Sequence, residues 1–147
     1  YTPEALAQRT DPLLEAFVNN LMRDGKKAQA TSHICDMLDH LAQAFHADPL
    51  PALHAAVEAA SPLVRMQTRK GGGKNVQVPV ALRAEQSRRK GIVAILDASK
   101  KRNDRKLATR LAREVIAVLE GTSSTLAKKE EAHKVAMLNR SNASVRI

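Results

Sequence analysis

The basic side chains of one central stretch are the residues best suited to chemistry with a partner. Residues 59–84 contain no Asp or Glu, and their Lys and Arg residues are Arg65, Arg69, Lys70, Lys74 and Arg83. Such a segment can neutralise successive phosphates and release their counterions. Lys and Arg also protect the exposed edges of hairpins, but edge protection does not require that acids be excluded. The stretch therefore predicts a polyanionic partner.

Further basic residues are predicted at the start of one helix and along the face of another. Lys26 and Lys27 stand where exposed N–H groups and the helix dipole already favour an anion. Cations at that end repel the dipole, so a phosphate partner explains them better than helix stability does. In the second group, Lys106, Arg110 and Arg113 recur at helical spacing. They are preceded by Lys100, Lys101, Arg102 and Arg105. A solvated charged face is the alternative interpretation of that helix.

The sequence gives little support for an enzyme. Residues 71–74, Gly-Gly-Gly-Lys, resemble a nucleotide-binding loop only in part, because the Walker pattern requires Gly at 68 and Ser or Thr at 75, where Thr and Asn stand. Neither a Gly-x-Ser-x-Gly turn nor a catalytic Cys signature is present. An enzyme that holds an acidic substrate in a basic groove would need a cluster of titratable residues in a pocket. We expect no catalytic residue.

Metal and redox chemistry are not predicted either. His54 with Glu58, and Asp36 with His40, have i, i+4 spacing but lack third and fourth ligands. The single Cys35 cannot form an internal disulfide, which fits a reducing compartment. We expect no metal site and no cofactor.

Composition narrows the class of partner. The chain has 147 residues, enough for one domain, and carries 24 Lys and Arg against 15 Asp and Glu, a net charge of +9. No apolar run reaches the roughly 20 residues that span a bilayer, so no membrane partner is predicted, although anionic lipid stays compatible with the charge. Because the chain has two Phe, one Tyr and no Trp, recognition should rest on shape and backbone contacts rather than base stacking.

The elements that position these residues follow from hydrophobic periodicity. We predict a mainly α single domain, residues 1–147, of about six helices, with residues 1–10 as an extended N-terminal arm. The helices are predicted over about 12–23, from the basic pair at 26–27 to Asp48, through Leu53 and Ala60, from Arg83 through Ser99, from an N-cap at Asp104 to Gly121, and over about 125–142. The last helix has a thin apolar stripe and should lie on the surface.

The acid-free stretch has a different period. Val64 and Met66, and then the residues from Val76 to Leu82, alternate with polar or small neighbours around three glycines. The pattern predicts a protruding β-hairpin over about 63–82, inserted between helices. Pro79 cannot donate a ladder hydrogen bond, which a two-stranded ribbon tolerates.

Residues 22–27 are Met-Arg-Asp-Gly-Lys-Lys, and residues 62–83 contain a basic pair at 69–70, Gly-Gly at 72–73 and Gln-Val-Pro-Val at 77–80. In this order, the two segments resemble the Asp-Gly-Lys-Lys turn and the hairpin of the proteins of universal family seven of the small ribosomal subunit. Matching residues in the second half are Gly91, Arg102, Arg110, Leu111, Ala112, Glu114, Thr122, Lys128, Glu130, His133, Lys134, Ala136, Asn139, Ala143 and Arg146. The resemblance covers nearly all of the chain from Asp11 onwards.

The resemblance implies a non-catalytic structural protein that binds the 3′ major domain of small-subunit ribosomal RNA and nucleates assembly of the head. It also implies proximity to the exit-site tRNA and mRNA and to neighbouring proteins of the head and platform. The expected phosphate contacts are Lys26, Lys27, Arg65, Arg69, Lys70, Lys74, Arg83, Arg88, Arg89, Arg102, Arg110, Arg113 and Arg146. The residues expected toward tRNA and mRNA are Lys128, Lys129, His133, Lys134 and Arg140.

Departures from the bacterial pattern change the set of expected contacts and indicate a compartment. Gln67, Gln86 and Ser87 stand where bacterial members have Arg, and Arg88 with Arg89 provides a displaced basic pair. Aromatic residues usual in bacterial members are replaced by Ala94, Val145 and Ile147. We therefore expect a mitochondrial member, with the bacterial cytoplasm or the plastid as alternatives.

One rival class shares the basic arm. DNA-bending architectural proteins combine a helical body with basic β-arms that enter the minor groove, and they insert an apolar wedge between base steps. The hairpin tip from Lys70 to Lys74 contains only glycines between its cations and offers no wedge. The sequence therefore favours folded RNA over DNA.

Overall fold

The computed structural model describes residues 1–9 and 11–144. Within them, seven α-helices and one 3₁₀-helix accompany a single β-hairpin. The elements are α1 (Pro3–Gln8), α2 (Pro12–Leu21), α3 (Lys27–Phe45), α4 (Pro49–Ala60), β1 (Val64–Gly71), β2 (Lys74–Ala81), α5 (Ala84–Ser99), α6 (Leu107–Glu120), α7 (Ser124–Leu138) and the 3₁₀-helix η1 (Arg140–Ser144). The mainly α fold with a hairpin near 63–82 is confirmed.

The core is built around α3, which packs against α2, α4 and α6. Apolar residues at helical spacing on α3 are fully buried, among them Ile34, Leu38 and Leu41. They meet the buried faces of the surrounding helices, to which Phe17 and Leu111 belong. Burial of these side chains is the main stabilising contribution to the fold. The helical body thus forms the platform from which the hairpin extends.

Capping residues set the starts and ends of several helices. The Asp11 carboxylate accepts the N–H of Leu13 at 3.0 Å, with Pro12 at the first helical position, as predicted for α2. Gly121 ends α6 with φ of 82°, a left-handed conformation that glycine adopts without strain. The predicted N-cap at Asp104 is wrong. The helix begins at Leu107 with Lys106 at its N-cap, and the Asp104 carboxylate instead forms an ion pair with Arg113 at 3.0 Å.

The predicted extended arm over residues 1–10 is also corrected. Thr2 caps a short helix, α1, by accepting the N–H of Ala5 at 3.2 Å, and Pro3 occupies its first turn. Leu6 is buried in the core cluster, and α1 packs against α3. A single apolar residue gives no periodic signal in sequence, which explains why a seventh helix was not predicted.

The hairpin is an antiparallel ladder in which Val64 pairs with Ala81 and Gly71 pairs with Lys74. Gly72 and Gly73 form the turn with φ of 57° and 79°, a conformation that residues with a Cβ rarely adopt. Val78 is 3% exposed, so one face of the ribbon is sheltered near its middle. Strand β2 packs against η1, and β1 packs against α7. The hairpin therefore protrudes from a root that the C-terminal helices support.

Candidate nucleic-acid interface

The tip of the hairpin is its most accessible basic region. Lys70 and Lys74 are exposed at either side of the turn. The ladder pairs Lys70 with Asn75 and Gly71 with Lys74, so the two lysines lie on opposite faces of the ribbon. Neither has a carboxylate within ion-pair distance among the described residues. The tip thus offers two unpaired positive charges to a polyanion.

The arginines of the hairpin share one face. Arg65 pairs with Val80, Gln67 with Val78 and Arg69 with Val76, so all three β1 residues project from the same side of the ribbon. Their partners form a valine strip, and the arginines themselves are only partly exposed. Gln67 lies between the two arginines. The neutral residue therefore interrupts what would otherwise be a continuous row of cations.

The root of the hairpin leads directly into the basic start of α5. Arg83 is the N-cap residue of α5, and its backbone N–H donates to the Gln86 side chain at 3.3 Å. Buried Ser87 donates through its hydroxyl to the carbonyl of Pro62 at 2.5 Å, which ties α5 to the chain entering β1. Arg89 is exposed and Arg88 partly exposed on the first turns. These contacts give Gln86 and Ser87 structural roles at positions where the bacterial pattern has Arg.

Lys26 and Lys27 are both exposed, but they line different clefts. Lys26 borders a cleft formed with α5 and α6, while Lys27 borders an apolar cleft between α1, α2 and α3. No side chain caps the first turn of α3. From the sequence the two lysines were predicted to act as one pair, whereas in the structure they lie on separate surfaces.

Three predicted RNA contacts near α6 are engaged within the protein. The Nε of Arg102 donates to the Glu114 carboxylate at 2.7 Å, and Nη1 of Arg113 forms an ion pair with the Asp104 carboxylate at 3.0 Å. Arg110 donates through Nη1 to the carbonyl of Asp104 at 2.8 Å and to that of the following residue. Glu114 is buried and also accepts a hydrogen bond from Ser123. These arginines therefore fasten the loop before α6, and any RNA contact must use their remaining N–H groups.

On α7 the predicted residues divide in the same way. Lys128 and Lys134 are exposed. Lys129 donates through Nζ to the carbonyl of Ala59 at 3.0 Å, and Nε2 of His133 accepts the backbone N–H of Leu63 at 3.0 Å. Two of the α7 side chains thus brace the entry to the hairpin.

The helical C-terminal part supplies one further brace. The side-chain amide of Asn142 donates to the carbonyl of Gln77 on β2 at 3.0 Å. The guanidinium of Arg140, in η1, donates to the carbonyl of Met137 at 3.1 Å, near the end of α7. Arg146, Val145 and Ile147 lie outside the described residues.

The surface position predicted for α7 is confirmed, since Thr125 and Ala136 are the residues it buries.

Two groups of charged side chains depend on tertiary contact and were not predicted from the sequence. In the first, Arg23 in the turn after α2 and Lys100 directly after α5 meet Lys26 and Arg110 around one cleft. The carboxylate of Glu114 joins Arg102 to the N-cap residue of α7, Ser123. The only available signal was the acid at position 114 within a strongly apolar helix face, which indicates a buried charge that must be paired.

The acid–base and metal candidates have structural partners. Nε2 of His54 lies 3.0 Å from the Asp11 carboxylate. Burial alone would raise the pKa of Asp11, but hydrogen bonds from His54 and from the backbone N–H of Leu13 lower it overall. Burial raises the pKa of the Cys35 thiol, which keeps it protonated.

Among residues 1–9 and 11–144, no three His, Cys, Asp or Glu side chains are grouped as metal ligands. None of the helices there combines the length and apolar composition needed to cross a membrane.

Comparisons with known proteins cover the helical body and the hairpin together. The family model for ribosomal protein S7p/S5e matches residues 2–140. The small ribosomal subunit protein uS7 of Paracoccus denitrificans is 35% identical to this chain, over 91% of the chain and 86% of its own length. That of Cereibacter sphaeroides is 35% identical, over 88% and 83%. The small ribosomal subunit protein uS7m of Schizosaccharomyces pombe is 33% identical, over 95% of this chain and 54% of its own length.

Proposed function

Since the chain belongs to the ribosomal protein S7p/S5e family, we propose that its hairpin and the cations around its root bind the 3′ major domain of small-subunit ribosomal RNA and nucleate assembly of the head. The chain is a structural, non-enzymatic constituent of the small ribosomal subunit, and its partners are ribosomal RNA and other ribosomal proteins. The proposal concerns which RNA it binds and through which residues.

The observation that carries the proposal is the acid-free hairpin. A ribbon of two eight-residue strands presents Lys70 and Lys74 at its tip and Arg65 and Arg69 along one face, without an acid from residue 59 to residue 84. Lys70 and Lys74 are exposed and the two arginines partly exposed; none of the four has a carboxylate partner among the described residues, so their charges are available to phosphates. Arg83 and Arg89 extend the positive surface to the start of α5. A folded RNA presents phosphates in several directions at once, which suits cations on two faces of a narrow ribbon.

Comparing the binding of two polyanions tests the proposal. Binding of the chain to a transcript of the 3′ major domain is measured across a salt series, alongside duplex DNA of equal length. We expect the folded RNA to be bound at salt concentrations that abolish DNA binding, because shape recognition adds to the salt-dependent term. Equal binding to both at every salt concentration would show only non-specific binding by a polycation and would overturn the proposal.

A pair of hairpin variants tests the assignment of residues. Replacing Lys70 and Lys74 with Gln should lower the salt slope by about 2, since each lost phosphate contact lowers it by about 1. The matched control replaces the same two lysines with Arg, which retains the charges and should retain the slope. If the Gln variant binds with the affinity and slope of the wild type, the hairpin tip does not contact RNA.

We assign the exposed surface of α7, with Lys128 and Lys134, to the side of the exit-site tRNA and mRNA. The support is the resemblance together with the exposure of these residues beside the hairpin root. In assembled subunits, a Lys134→Cys variant carrying a photo-crosslinker should react with tRNA or mRNA. Native Cys35 is buried and will not compete for the reagent. Crosslinks exclusively to ribosomal RNA or to proteins would contradict the assignment.

For the compartment, we propose a mitochondrial ribosome. Support comes from the substitutions at Gln67, Gln86 and Ser87 relative to the bacterial pattern and from similarity to a homologue of the mitochondrial type. The bacterial homologues are 35% identical and the uS7m homologue 33%, so identity does not decide the compartment. The test is sedimentation: the protein should co-sediment with small subunits purified from mitochondria of the source cell. Co-sedimentation with plastid or bacterial ribosomes would overturn this part of the proposal.

A further inference from the structure

A cleft of about 500 Å³ opens between the α2–α3 turn, the C-terminal half of α5 and the start of α6. Its apolar lining comes from all three regions: Leu21, Met22, Val93, Leu96 and Leu107. Leu96 is nearly buried and belongs to the core, while Val93 remains 37% exposed. The floor of the cleft is thus an aliphatic surface supported by the core. A volume of this size lies within the range of pockets that hold small organic groups.

Basic side chains surround this floor. Arg23, Lys26, Lys100 and Arg110 line the cleft, together with the two carboxylates Asp24 and Asp97. Asp97 is paired with Lys100 at 3.7 Å. Within the described part of the chain, neither Arg23 nor Lys26 has a carboxylate at ion-pair distance. The cleft therefore combines an apolar floor with a rim on which positive charge is in excess.

The rim has a second feature that favours an anion. Lys26 is the N-cap residue of α3, and no side chain caps that helix. The N–H of Lys27 donates to the Gly25 carbonyl at 3.0 Å, but the next N–H groups of the first turn still need acceptors, and the helix dipole attracts negative charge. A phosphate beside Lys26 would meet the side-chain cation and the helix end together.

We propose that this cleft binds one unstacked nucleotide of the bound RNA, with its base on the apolar floor and its phosphate at the rim near Arg23 and Lys26. Bases that project from loops and bulges are the parts of RNA that proteins bind individually. The chain has few aromatic residues for stacking, and an aliphatic floor can cover a base without them. This inference rests on the proposed RNA-binding function and adds a specific contact to it.

The test separates filling the cleft from removing its charge. A Val93→Phe variant fills the floor and retains every cation, whereas Lys26→Gln removes a rim charge and leaves the floor open. The matched control is Leu119→Phe on α6, because Leu119 is also 37% exposed and does not line this cleft. Each variant is titrated with the 3′ major-domain transcript across a salt series. Thermal unfolding establishes that each is folded.

We expect Val93→Phe to weaken binding about tenfold with an unchanged salt slope, since it removes base burial and no phosphate contact. Lys26→Gln should instead lower the slope by about 1. Leu119→Phe should behave as the wild type. In addition, dimethyl sulfate and a carbodiimide, which together modify the pairing edges of all bases, should find one unpaired base protected in the wild-type complex and reactive with Val93→Phe.

Normal binding and an unaltered modification pattern with folded Val93→Phe would overturn the inference and leave the RNA-binding proposal standing. If the wild type itself does not prefer the folded RNA, both fail. Should Val93→Phe not fold, Gln29→Trp serves instead, because Gln29 is exposed on the rim and its replacement narrows the cleft without disturbing the core. Loss of affinity without loss of slope supports the inference, and wild-type affinity refutes it.

Discussion

Replacing Arg102 with Met removes the partner of a buried carboxylate. The side chain of Glu114 is 5% exposed and that of Arg102 is 34% exposed, with 2.7 Å between Nε and the carboxylate oxygen. The other donor to Glu114 is the hydroxyl of Ser123, the N-cap residue of α7. Met retains the apolar stem of Arg102 and removes its charge, so the substitution isolates the electrostatic contribution.

The expected loss follows from the two exposures. Breaking a buried ion pair by removing one partner costs about 3–5 kcal/mol, because the remaining charge is left uncompensated. Since the Arg102 side chain is one-third exposed and solvent screens part of the interaction, we expect Arg102→Met to lower the free energy of unfolding by about 3 kcal/mol. Replacing Glu114 with Leu in the same chain removes the stranded charge. The double variant should therefore recover about 2 kcal/mol of that loss.

Urea unfolding followed by circular dichroism measures these free energies, with an unchanged m-value as evidence that the transition stays two-state. RNA titration then separates the structural role of Arg102 from a direct contact. Arg102→Met, at temperatures where it is folded, should retain the wild-type salt slope, while Lys26→Gln lowers it by about 1. A loss below about 1 kcal/mol, or a double variant less stable than Arg102→Met alone, would refute the assignment of the ion pair as a support of α7.

Three further predictions concern other parts of the body. Gly91→Ala should lower the free energy of unfolding, measured by urea unfolding, by about 2 kcal/mol. The reason is that a Cβ there overlaps the Ser61 hydroxyl and lies 3.1 Å from a carbonyl of α4. Wild-type stability would show that α4 and α5 move apart at no cost to fit the methyl group. Since the pKa of Asp11 is lowered in the folded protein, its contribution to stability is present above about pH 4 and is lost as the pH falls through the folded-state pKa. Asp11→Asn retains a capping side chain and should flatten this part of the pH–stability profile, and an unchanged profile would contradict the role of the His54 pair. Cys35, buried and with a raised pKa, should react with iodoacetamide at least tenfold more slowly in the native protein than in urea, and equal rates would contradict its burial.

Much of the fold could be predicted because its signals are local. Helical spacing of apolar residues located the six longer helices, and the change to alternation around Gly72 and Gly73 located the hairpin. The resemblance to the ribosomal family, carried by short motifs in a fixed order, is confirmed by the match over residues 2–140. Helix α1 was missed because it is six residues long and buries one residue, Leu6, which leaves no periodic pattern.

The amino-acid sequence by itself determined the class of partner, because charge and the exclusion of acids from residues 59–84 are properties of composition that folding does not alter. Tertiary structure decided which cations remain available. Arg102 and Arg113 look equivalent to Lys70 and Lys74 in the sequence, yet Glu114 and Asp104 reach the two arginines at 2.7 Å and 3.0 Å. Lys26 joins Arg23, Lys100 and Arg110 around one cleft only because α3, α5 and α6 pack together. Ion pairing and cleft formation depend on distances between residues far apart along the chain, and those distances exist only in the folded protein.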